Sequence, residues 1–62
     1  MRTVELKRKL QSAGCYFLEE GKNHQWWYSP ITGKRFQVPR HANEDIRKPL
    51  QKQISKQSGV RL

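Results

Sequence analysis

Between positions 15 and 39, three short runs rich in aromatic and β-branched residues (15–20, 24–29 and 34–39) are separated only by Gly21-Lys22-Asn23 and Pro30-Ile31-Thr32-Gly33. Both separators are turn chemistry, and connections this short join neighbouring antiparallel strands. The middle of the chain therefore reads as a three-stranded meander. Phe36 and Val38 alternate with Arg35 and Gln37, which gives the third strand one apolar and one polar face.

Helical patterns flank the meander. From 3 to 13, Leu6, Leu10 and Ala13 follow the i, i+4, i+7 spacing, Thr3 is suited to cap, Glu5 falls in the positive first turn, and Gly14 ends the run. After the turn Pro39-Arg40-His41-Ala42-Asn43, a second helix is expected with Pro49 in its first turn, Leu50 and Ile54 on one face, Ile46 joining that stripe, and Gly59 beyond the end. A start near Glu44 would bury Pro49 inside the helix at a cost of about 3 kcal/mol, so an irregular turn up to Pro49 is the better reading. The order helix, three strands, helix makes an α+β fold, with two helices packed on one face of the antiparallel sheet and the other face open. Residues 1–62 read as a single domain: a chain of this length hides only ~60% of the surface its unfolded form exposes, and it divides no further.

Thirteen Lys and Arg stand against five Asp and Glu, a formal net charge of +8, and the basic residues are spread from Arg2 to Arg61. A polyanion is the natural partner for such a field, although solubility accounts for part of it. A core this thin leaves little material for a deep pocket, so no cofactor is expected. Cys15, the single cysteine, excludes an internal disulfide and fits a reducing cytosol. The charged N-terminus has no signal-peptide apolar run, and no stretch nears the ~20 apolar residues of a membrane span. A cytoplasmic protein is expected.

His24 stands where a strand begins, after the Gly21-Lys22-Asn23 turn. An imidazole with an unperturbed pKa near ~6.5 takes and returns a proton at neutral pH, which attack of an RNA 2′-hydroxyl on its phosphate requires. Lys22, Lys34, Arg35 and Arg40 are candidate cations for the phosphorane charge, and Asn23 a candidate to hold phosphate or orient the ring. A histidine at a strand edge is nonetheless more often structural or solvated. His41, beside Arg40, reads equally as phosphate binder, turn residue or proton carrier. Two histidines, one cysteine and scattered carboxylates offer no metal-ligand spacing, and Cys15 reads as core rather than nucleophile. In the run Trp26-Trp27-Tyr28, neighbours point to opposite faces. Part of it is therefore core, and part is available to stack on a base or to pack against a protein.

Taken together, these residues resemble the HicA family of toxin-antitoxin mRNA interferases over essentially the whole chain. Gly14-Cys15-Tyr16-Phe17 is similar to that family's helix-glycine-strand opening, and Gly21-Lys22-Asn23-His24 to its glycine-to-histidine segment. Residues 33–41 are similar to its strand ending in Pro-x-His, and residues 46–59 to its closing helix. The resemblance implies a fold like a double-stranded-RNA-binding domain, ribonuclease action on mRNA, His24 as the catalytic residue, and a HicB-type antitoxin binding over the His24 site. Lys22-Asn23 departs from the serine that many members carry just before the histidine, and the aromatic run is bulkier than usual. The rival readings are a non-catalytic RNA-binding module of the same fold and a ribosome-associated basic protein. Oligomeric state, whether homo-oligomer or toxin-antitoxin hetero-oligomer, stays open.

Overall fold

The computed structural model describes residues 1–41 and 43–62. It runs α1 (Thr3–Ser12), β1 (Tyr16–Glu20), β2 (His24–Ser29), β3 (Lys34–Pro39) and α2 (Lys48–Ser58). The strands form one antiparallel sheet in the order β1-β2-β3. Ala42, which the sequence reading places in the turn after β3, lies outside the described residues. Among the described residues, no helix is long and apolar enough to cross a membrane.

Register decides which side chains are inside. Trp27 lies opposite Phe36, and Gln25 opposite Val38, so these four share a face. Trp27, Phe36 and Val38 are all at least 98% buried. Leu6 and Leu10 from α1 and Ile54 from α2 meet them in one core, so both helices serve the same side of the sheet. Trimming such a leucine to alanine costs about 2–5 kcal/mol, a large share of the ~5–15 kcal/mol that holds an ordinary domain together. The buried Trp27 indole N–H is satisfied by Gln25 Oε1 at 3.2 Å, which removes the penalty of an unpaired polar group. By contrast β1 is exposed along its length, including Tyr16, Phe17 and Leu18. The helices cover the β2–β3 half of the sheet and leave the β1 edge bare.

Three local expectations are corrected. Thr3 does not cap α1: Arg2 is the N-cap, without a side-chain cap bond, and the Thr3 amide and hydroxyl both donate to Glu44 O at 2.9 Å. Cys15 is not part of β1. Its amide bonds back to Leu10 O at 2.9 Å, closing the helix end, and its side chain joins the core. Ile46 is buried, but it precedes the helix that begins at Lys48 and so extends no helical stripe. The segment 43–46 instead zips against the N-terminus, through an Arg2–Asp45 bridge and an Ile46 amide bond to Met1 O at 2.6 Å. Backbone polar groups of an irregular segment need partners, and here the N-terminus and segment 43–46 supply each other's.

Pro49 does occupy the first turn of α2, and Gly59 ends that helix in the left-handed region at φ 74°. Beyond it Val60 returns to the core. The buried Ser29 hydroxyl donates to Ser58 O and accepts from Ile31 N–H at 3.2 Å, which ties the β2–β3 turn to the end of α2. A Cβ on residue 59 would lie 2.8 Å from Ile31 Cγ2, so that position combines positive φ with a steric limit. Gly59→Ala should lower stability by about 1–3 kcal/mol. The check is urea unfolding, in which the midpoint falls at an unchanged m-value.

Candidate functional site

Because side chains alternate along a strand, burying Trp27 turns His24, Trp26 and Tyr28 to the other face of β2. His24 is exposed there, and Trp26 and Tyr28 are half-buried. Tyr16 leans on Tyr28 with ring centroids 5.5 Å apart. The Arg35 guanidinium lies over Trp26, 5.0 Å from its ring centroid. A bulge in β1 between Phe17 and Glu19 sets Glu19 opposite Trp26, and from there its carboxylate reaches Arg35 at 4.0 Å.

The turn before His24 is held tightly. Gly21 N–H donates to His24 O at 2.7 Å, and a Cβ on residue 21 would stand only 2.6 Å from that same oxygen and 3.2 Å from Trp26 Nε1. No larger residue fits this close approach without moving the backbone. Arg40 clamps the turn from β3's side: its guanidinium donates to Gly21 O, reaches Lys22 O at 3.4 Å, and pairs with Glu20 at 3.0 Å. Behind it the Lys7 ammonium donates to Arg40 O at 3.4 Å. Burial pushes the Lys7 pKa down, against the opposing pull of Glu20. His24 thus projects from a braced corner, the setting that holds a reacting group to a narrow range of positions.

His24 also lines a cleft of about 290 Å³ between edge strand β3 and α2. Trp26, Arg35 and Gln37 line its sheet side, Leu50, Gln53 and Gln57 its helix side, and Phe36 and Ile54 lie beneath. The sequence reading placed Leu50 and Ile54 on one helix face; Ile54 is buried, while Leu50 lies at this cleft and is 36% exposed.

Of the candidate residues, the structure gathers some and separates others. Lys22 and Asn23 are exposed in the turn adjoining His24. Arg35 shares the cleft with His24, while Arg40 is engaged by the turn itself. His41 is exposed, two residues past Pro39, the cross-strand partner of His24, and its carbonyl accepts from Glu44 N–H at 3.1 Å. Lys34 does not join them. It lies opposite Ser29 at the far end of the hairpin, five residues from Pro39 or roughly 17 Å along the strand. Its even-numbered alternation also sets it on the Phe36 and Val38 face. The reading from sequence missed Gln37, Gln53 and Gln57. The available signal was Leu50, Gln53, Ile54 and Gln57 at i, i+3, i+4, i+7, one face of a helix. Among the described residues, no three His, Cys, Asp or Glu side chains gather as metal ligands.

If Gly21 sets the corner, Gly21→Ala should displace it. The expected result is a loss of about 1–3 kcal/mol in stability, with backbone amide resonances shifting at His24 and Trp26 and little at Leu6 or Leu10.

The sequence matches the family model described as HicA toxin of bacterial toxin-antitoxin over residues 4–60. Two curated relatives from Photorhabdus laumondii are similar along their full length. Probable mRNA interferase HicA 2 is 36% identical over 61 residues, 98% of this chain and 100% of that relative. Probable mRNA interferase HicA 1 is 38% identical over 60 residues, 97% of this chain and 100% of that relative. No solved structure matches the chain.

Proposed function

The chain belongs to the HicA toxin family of bacterial toxin-antitoxin systems, and from that premise we propose that it is an endoribonuclease that cuts messenger RNA by proton transfer at His24. The observation that carries the residue assignment is the braced, exposed imidazole at a cleft in a chain of net charge +8. Neutral His24 takes the proton of a 2′-hydroxyl as that oxygen bonds to phosphorus. The bond to the 5′-oxygen breaks, and the imidazolium returns its proton to the leaving alkoxide. The products are a 2′,3′-cyclic phosphate and a 5′-hydroxyl, with no net consumption of acid or base. Lys22 and Asn23 in the adjoining turn bring an ammonium and an amide to the crowded phosphate. Arg40 works at one remove, by positioning the turn. The donor set suits chemistry that needs no metal.

The partner in this reading is a HicB-type antitoxin seated over the His24 cleft. A surface carrying this much positive charge favours an acidic partner that competes with RNA for the same field.

Wild-type protein and His24→Ala are compared on a long single-stranded RNA in EDTA. Wild type should cut, and the variant should be about 10²–10⁴-fold slower with unchanged thermal midpoint and RNA affinity. If both bind and neither cuts, the chain is a binding module of this fold instead. Added antitoxin should protect the RNA and also shield His24 from diethylpyrocarbonate; protection with His24 still reactive would place the antitoxin elsewhere.

A further inference from the structure

We infer that the cleft beside His24 is a base-reading subsite that takes one unpaired adenine of the RNA and so helps choose where the strand is cut; this rests on His24 as the cutting residue. The lining is the reason. A phosphate-binding groove is built from cations, yet here the helix side presents Leu50, Gln53 and Gln57, and the sheet side adds Gln37. Arg35, in the lining beside them, is paired with Glu19 and laid over Trp26. Lys48, Lys52 and Lys56 recur at i, i+4, i+8 and are exposed, on the side of α2 opposite the Leu50-Gln53-Ile54-Gln57 stripe. The helix wall of the cleft is thus uncharged, with the lysines of α2 turned away from it.

Amides offer a donor and an acceptor side by side, which is the complement of adenine's amino group and adjacent ring nitrogen. Unpaired RNA bases are read in this way, on their exposed edges, while stacked on aromatic rings or guanidinium planes. The Trp26–Arg35 pair supplies the flat surface and Leu50 an apolar contact. A volume near 290 Å³ falls just below the ~300–1,000 Å³ range of ligand pockets, enough for one base and too little for a duplex step. Both walls are regular elements, so the reading groups hold a fixed distance from His24.

The test uses hexanucleotides of adenine, cytosine and uracil with the intact protein and its Gln53→Ala and Gln57→Ala variants. Cleavage is followed as KM and kcat, and binding is measured separately by calorimetry on His24→Ala and on the two double variants that add each glutamine change to it. Oligoadenylate should be bound and cut best. Each glutamine variant should raise KM for it by about 5- to 100-fold, with kcat, thermal midpoint and the uracil substrate little changed. A preference for cytosine or uracil, or an adenine preference that both glutamine variants retain, overturns the subsite. If nothing is cut but His24→Ala still binds oligoadenylate in a Gln53-dependent way, cutting at His24 fails and the subsite stands.

Discussion

Trp27 facing Phe36 across the β2–β3 ladder is the contact on which everything else depends. Both rings are almost fully buried, and in a core this small they supply much of the apolar area that offsets chain entropy. A strand's side chains repeat every two residues, so sinking Trp27 leaves no choice for its neighbours. His24 and Trp26 go to the uncovered face, and a one-residue slip of β2 would bring them into the core while expelling Trp27. The energetic demand of the core and the exposure of the site are one constraint seen from two sides of the same strand.

What the core leaves loose at the start of β2, hydrogen bonds to the turn make firm. The close approach of Gly21 to His24 O and the Arg40 guanidinium on two turn carbonyls and Glu20 fix the corner. The neighbouring charges are largely spoken for: Arg35 by Glu19 and Trp26, Arg40 by the turn, Lys7 by Arg40 O. Surface ion pairs contribute little each, about 0–1 kcal/mol, so their chief effect here is to direct side chains. Lys22 remains exposed beside His24, and the lysines of α2 lie on its outer side. The positive charge therefore divides into residues that build the corner and residues that face solvent.

Much of this was legible in the residues. Two strand bounds, the meander, both helices, Pro49 in the first turn and Gly59 past the end follow from turn chemistry and periodicity, which act over a few neighbouring residues. So did the position of His24 at the start of β2, just past the turn. Long-range pairings were not legible: Thr3 carries the chemistry of a cap, yet its hydroxyl is taken by Glu44, and segment 43–46 meets the N-terminus across more than forty positions. Alternation along β3 already set Lys34 and Arg35 on opposite faces, but that Arg35 shares its face with His24 and Trp26 only the register could assign.

The sequence by itself determined the order of elements, the charge and the family, because each is written in local pattern or in residues that survive comparison along the whole chain. The tertiary structure alone decided the rest: which of Trp26 and Trp27 is core, that Arg40 braces a turn rather than standing free, and that Gln37 meets Gln53 and Gln57 across a cleft. The last of these depends on how α2 lies beside β3, and that placement is set by burial of Ile54 and by the Ser29 and Thr32 bonds to the end of the helix. Such bonds join residues 25 to 29 positions apart, beyond the reach of any local rule.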